Sequence, residues 1–145
     1  HDPMGFATNR ADEIAVKLEK LRDKINDYQE EIFKLRLQEM DDAETVFITY
    51  GSVSRAALQA TSLARQAGHK VGSIQFYTIW PCAYDKIREL CSRCKRVIVA
   101  ELNMGQMIHE VGKALPPEVE IHALQRYDGE ILTPEQLLKK LEEVL

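Results

Sequence analysis

A chain of 145 residues, 45% of them hydrophobic, can bury one ordinary domain core and is too short for two, so one domain plus an appendage is expected. Nineteen basic against twenty-three acidic residues leave a net charge of −4, which excludes the basic footprint of a nucleic-acid binder. No apolar run approaches the roughly 20 residues that cross a bilayer, and three cysteines fit a reducing compartment better than a disulfide framework. A cytoplasmic protein with neither nucleic acid nor membrane as partner is therefore expected. The chain opens His1-Asp2-Pro3 without an initiator methionine or a signal segment and reads as a piece of something longer.

Residues 1 to 8, with Pro3 and Gly5, read as an irregular lead-in. Asn9 is placed to cap a helix whose first turn carries Asp12 and Glu13, acids that suit the positive end of the helix dipole. Ile14, Leu18, Leu21, Ile25, Tyr28, Ile32 and Leu35 then recur at alternating spacings of four and three, a heptad seam of about three repeats. A helix of that length outreaches a small core at about 1.5 Å per residue. Its seam, with Ile14, Leu21, Ile25, Tyr28 and Ile32 as the interface candidates, is expected to bury against another subunit or domain; packing on its own domain is the simpler alternative. Met40-Asp-Asp-Ala-Glu44 links onward, so residues 1–44 form the lead-in and arm, and residues 45–145 the domain.

Val46-Phe-Ile-Thr-Tyr50 reads as a buried strand that enters a turn at Gly51. Val53, Ala56, Ala57, Ala60, Leu63, Ala64 and Ala67 follow on one helical stripe, ended by Gly68. Val71 to Phe76 is a second strand with Thr78-Ile-Trp-Pro81 as its exit, and a helix spans Tyr84 to Cys94. Val97-Ile-Val99 marks a third strand that ends in Glu101-Leu-Asn-Met-Gly-Gln106. The next helix runs until Pro116-Pro117, and Val119 to Leu124 is a fourth strand, nearer an edge. Thr133-Pro-Glu-Gln136 spells a capping box for the last helix. Strand and helix alternate without a hairpin signal, which predicts an α/β fold, a three-layer α/β/α sandwich with a mainly parallel sheet.

In such folds the loops at the carboxyl ends of the strands form the working edge. Gly51, Ser52 and Ser54 offer a weak phosphate candidate, since free helix N-terminal amides attract anions, but neither a dinucleotide fingerprint nor a P-loop lysine is present. The serines are more simply helix caps. Cys91-Ser-Arg-Cys94 has redox or half-zinc spacing, yet both cysteines fall on a buried stripe at a helix end and read as core. His69, His109 and His122 share no metal spacing. Glu101 has the chemistry of an acid or base, with Asn103 and Gln106 as donors. The alternative is that Glu101 accepts amide hydrogen bonds while Gly105 admits the turn.

The ordered set of Gly51-Ser52, the alanine-rich helix ending at Gly68, Thr78-Ile-Trp-Pro81, Ile87 and Glu101-Leu-Asn-Met-Gly-Gln106 resembles the transketolase C-terminal-like domain. Within that group it is most similar to the alpha subunit of 2-oxoacid:ferredoxin oxidoreductases, and His1-Asp2 with Gly5 and Thr8 resembles that family's interdomain segment. The resemblance implies a parent enzyme that oxidatively decarboxylates a 2-oxoacid to acyl-coenzyme A and CO2 and reduces ferredoxin. Thiamine diphosphate, magnesium and an iron-sulfur cluster are implied for the complete enzyme, and no cofactor or metal site for these residues. The implied partners are the N-terminal domains of the same subunit, the beta subunit, and ferredoxin through the complex. The domain is then inactive alone and serves assembly, with Glu101, Asn103, Gly105 and Gln106 facing other domains or subunits. Two readings stay open: a 2-oxoacid dehydrogenase beta chain or other thiamine enzyme, and a flavodoxin-like nucleotide-binding or regulatory module.

Overall fold

Val46 and Ile48 point to one face of a strand while Phe47 and Thr49 point to the other, and all four are buried. Such a strand needs cover on both faces. The computed structural model describes residues 1, 2 and 4–145; Pro3 of the expected lead-in lies outside the described residues. These residues group into two units, His1–Ile32 and Phe33–Leu145.

The first unit holds α1 (Ala11–Asn26) and a single turn, α2 (Gln29–Ile32). Arg10, not Asn9, is the N-cap residue of α1, and no side chain caps it. Thr8 shapes the entry instead, accepting from the Arg10 amide at 3.2 Å and donating to Glu13 at 2.7 Å. The expected continuous helix through Leu35 is corrected. It stops at Asn26, where Asn26 and Asp27 bring side chains that compete for backbone hydrogen bonds. Tyr28 therefore sits in a turn, Ile32 ends α2, and Leu35 opens a strand.

That strand, β1 (Leu35–Gln38), runs antiparallel to β3 (Val71–Phe76), with Leu35 opposite Phe76 and Gln38 opposite Ser73. β2 (Thr45–Tyr50) lies parallel between β3 and β4 (Arg96–Glu101), and β5 (Glu120–Gln125) completes the order β1-β3-β2-β4-β5. The sheet is thus mainly parallel, with one antiparallel edge strand not expected from the sequence. β5 forms the other edge.

On one face Val46, Ile48, Ile74, Val97 and Val99 pack with α4 (Tyr84–Cys91) and α5 (Gln106–Ala114) through Ile87, Cys91, Met107 and Val111. Cys94 joins the same cluster, so the expected core cysteines are buried. On the other face Phe47, Val71, Ile98 and Ala100 meet α3 (Val53–Gln66) and α6 (Pro134–Val144). Ala57, Ala60 and Ala64 give α3 a small face, so its axis can sit close to the sheet. A Schellman pair ends α3: the Gly68 amide donates to Arg65 O and the His69 amide to Ala64 O, both at 3.0 Å, with Gly68 at φ +89°. The capping box of α6 forms as spelled, Thr133 accepting from the Gln136 amide while Gln136 accepts from the Thr133 amide.

Candidate interface at the carboxyl edge of the sheet

β4 delivers Glu101 to the end of a buried central strand, where it is 1% exposed. A carboxylate in that position needs donors, and the next helix supplies them. Oε2 accepts from the Met107 amide at 2.8 Å and Oε1 from the Ile108 amide at 3.2 Å. Both amides belong to the first turn of α5, which would otherwise leave them orphaned, and negative charge there complements the helix dipole. Glu101 is thus held as a cap on α5.

Asn103 completes the turn. Its Oδ1 accepts from the Gly105 amide at 2.8 Å and the Gln106 amide at 2.9 Å, and its Nδ2 donates to the Tyr50 hydroxyl at 2.5 Å. Tyr50 closes β2, so this contact ties the ends of neighbouring strands. Burial first, and then the nearby Glu101 charge, hold the Tyr50 phenol above its ordinary pKa. Gly105 sits at φ +98°, and a Cβ there would lie 2.3 Å from Gln125 Nε2. The left-handed backbone favours glycine at that position, and any larger residue would also have to push the Gln125 amide aside. Gln106 is the first residue of α5 and is exposed.

The structure therefore brings Glu101, Asn103 and Gly105 together as a turn; Glu101 and Gly105 are buried in it, which corrects the expectation that they face other domains or subunits, while Asn103 is half-buried and Gln106 exposed. Around it the edge carries exposed apolar side chains: Trp80 at 73%, Met104 at 74%, and Tyr77, Ile79 and Tyr127. Sequence reasoning placed these loops at the edge without singling out those five as contacts. Aromatic and methionine enrichment at an exposed edge is the compositional mark of an interface.

The Gly51 turn reads differently. Gly51 has φ +61°, but the Ser54 and Arg55 amides already donate to Gly51 O and Ser52 O at 3.3 and 3.4 Å. Ser54 is 1% exposed, with its hydroxyl accepting from Thr49 Oγ1 at 3.1 Å. Ser52 is the N-cap residue of α3, and its side chain makes no capping bond. The expectation that a serine hydroxyl caps this helix is corrected, and two of the amides a phosphate needs are engaged.

Among the interface candidates of the first unit, Ile14, Leu21 and Tyr28 are exposed, while Ile25 and Ile32 are half-buried. No group of three or more histidine, cysteine or acidic residues suited to a metal exists among the described residues. Three cysteines, two of them in the core, do not fit an iron-sulfur cluster, which takes about four thiolates. No helix among the described residues is long and apolar enough to cross a membrane.

The family model described as pyruvate:ferredoxin oxidoreductase core domain II matches residues 43–137. The 2-oxoglutarate synthase subunit KorA of Methanothermobacter marburgensis is 34% identical over 142 residues, 97% of this chain and 38% of that protein. The chain thus spans under two-fifths of the length of that curated relative. A 2-oxoglutarate:ferredoxin oxidoreductase from Magnetococcus marinus, solved with 2-oxoglutarate, coenzyme A and succinyl-CoA bound, superposes with a TM-score of 0.88 at 21% identity, over 99% of this chain and 25% of that one. A split-gene transketolase, an inactive beta4 tetramer, gives 0.58 at 16% identity, over 74% of this chain and 40% of that one. At those identities the two structures establish the fold, the transketolase C-terminal type. With most of the domain covered by the family model, the chain belongs to the pyruvate:ferredoxin oxidoreductase core domain II family, a domain of the 2-oxoacid:ferredoxin oxidoreductases.

Proposed function

We propose that this chain is an assembly domain of the alpha subunit of a 2-oxoacid:ferredoxin oxidoreductase. The complete enzyme converts a 2-oxoacid and coenzyme A to acyl-coenzyme A and CO2 and passes the electrons to ferredoxin. Thiamine diphosphate supplies the carbanion chemistry and an iron-sulfur cluster the electron transfer, each held by other parts of the longer protein or its partner subunits. The observation that carries the reading is the state of Glu101. The acidic group best placed for chemistry at the working edge caps α5 at 1% exposure, while the residues presented to solvent there are apolar and aromatic. The edge loops bearing Trp80, Met104 and Gln106 and the α1 seam are its contact surfaces, toward other domains of the same subunit and toward the beta subunit. Three free cysteines fit a reducing compartment.

The test uses the complete enzyme, purified with its partner subunits. Trp80→Ala and Gln106→Ala are followed by sedimentation velocity and by 2-oxoacid- and coenzyme A-dependent reduction of a viologen dye. Truncating an interfacial tryptophan is expected to lower the assembled fraction severalfold, with turnover per assembled complex within about twofold of the parent. Unchanged assembly in both variants refutes the interface reading. Lost turnover in fully assembled complex refutes the non-catalytic one.

A further inference from the structure

α1 has no buried residue, yet its apolar side chains are ordered. At 3.6 residues per turn, Ile14, Leu18, Leu21 and Ile25 fall within about 40° of one line along the helix. Leu18 and Leu21 are 61% and 63% exposed. The charges are sorted around that line. Lys17 and Lys24 border it on one side and Arg22 on the other; Glu13 lies beyond Lys24, engaged by Arg10 and Thr8, and Asp12, Glu19, Lys20 and Asp23 lie at the back.

The sorting decides what can cover the seam. Set in register as a parallel pair, two copies would place Lys17 of one helix beside Arg22 of the other; an antiparallel pair would set Lys17 against Lys24. Either arrangement repels, so the seam is built against a second copy of itself. An anionic bilayer is also a poor fit. Ala11–Asn26 carries four basic and four acidic residues, without the cluster of about four to eight cations that holds a surface helix to acidic lipid. The Lys17 ammonium donates to the carbonyls of His1 and Asp2. Arg22 makes an exposed pair with Asp23 at 2.9 Å, which leaves it open to a stronger partner.

We infer that the seam of α1 docks an apolar helix or groove on a protein partner whose rim carries carboxylates facing Lys17, Arg22 and Lys24. This rests on the assembly reading and adds the chemistry of the partner. Apolar packing supplies the contact, and the basic rim sets register and partner choice.

The test is the double charge reversal Arg22→Glu with Lys24→Glu in the complete enzyme, beside Leu18→Ala with Leu21→Ala. Subunit dissociation is measured by sedimentation at low and high salt. The charge reversal is expected to weaken assembly about tenfold at low salt, with the gap narrowing as salt screens the rim, and with helix content by circular dichroism unchanged. The leucine pair weakens assembly at both salts. Assembly insensitive to the charge reversal overturns the inference. So does concentration-dependent dimerisation of the 145-residue chain alone, or its flotation with phosphatidylserine vesicles. Loss of assembly in Trp80→Ala but not in the α1 variants would refute this inference and leave the assembly reading standing. Dependence on α1 in a complex without 2-oxoacid activity would do the reverse.

Discussion

Removing the Glu101 carboxylate should loosen α5 from the sheet. Glu101→Ala deletes two hydrogen bonds from a charged acceptor to the Met107 and Ile108 amides, at 2.8 and 3.2 Å. Hydrogen bonds to charged groups contribute about 1.5–3 kcal/mol each. Because the pair shares one carboxylate, the two losses overlap, and the net change is about 3 kcal/mol. Glu101→Gln keeps one acceptor oxygen and turns an amide NH2 toward a donor, for a loss of about 1–2 kcal/mol. For a unit of this size about 1 kcal/mol moves the melting temperature by about 4 °C. The alanine variant should therefore melt roughly 12 °C below the parent and the glutamine variant roughly 6 °C below. Urea unfolding followed by circular dichroism gives the free energies directly. An alanine variant within about 0.5 kcal/mol of the parent, the range of ordinary surface changes, would show that Glu101 is not what holds α5.

Gly72 lies on β3 where a Cβ would come within 2.8 Å of Glu39 O and the Met40 sulfur; Gly72→Ala should destabilise by about 1–3 kcal/mol as the β1–β2 connection is pushed away, and an unchanged urea midpoint would contradict that. Thr133→Ala breaks the α6 capping box and should remove about 1 kcal/mol, read by the same unfolding curves. Tyr50 has a raised pKa in the fold from burial and from Glu101. Its contribution to stability is complete below the ordinary tyrosine value near 10 and is lost as pH rises through the higher folded value. Unfolding free energy should thus fall more steeply above about pH 10 in the parent than in Tyr50→Phe, and parallel curves would refute the placement of that hydroxyl.

The parts of the fold legible in the sequence were those where local chemistry and tertiary need coincide. Gly68 stops α3 because the turn that ends the helix requires a left-handed backbone there, and Thr133 with Gln136 caps α6 because both side chains act within one turn. Strand β1 was hidden by an overlap of periods. Leu35 continues the four-three spacing from Ile32, but Phe33, Leu35 and Leu37 also alternate with Lys34, Arg36 and Gln38, the period of a strand. Pairing with β3, and the packing of Phe33 on Phe76 at 5.8 Å, decide for the strand, and no local signal carries that information. At the edge, the residue types of Glu101 and Asn103 admitted either chemistry or capping. In the fold the amides of α5 orient the Glu101 carboxylate as a cap, because at 1% exposure it is directed by the donors around it. Ser54 was ambiguous for the same reason: its direction is set by Thr49 across the turn.

The central claim, a non-catalytic domain inside a 2-oxoacid:ferredoxin oxidoreductase, is tested most directly by coenzyme A-dependent ferredoxin reduction, measured anaerobically with pyruvate, 2-oxoglutarate, branched-chain and aromatic 2-oxoacids. The complete enzyme with its partner subunits is compared with the 145-residue chain alone. The account predicts turnover of at least one 2-oxoacid by the complete enzyme and none by the chain. Turnover by the chain alone, or a complete and cofactor-loaded enzyme that reduces ferredoxin with none of these acids, would contradict it.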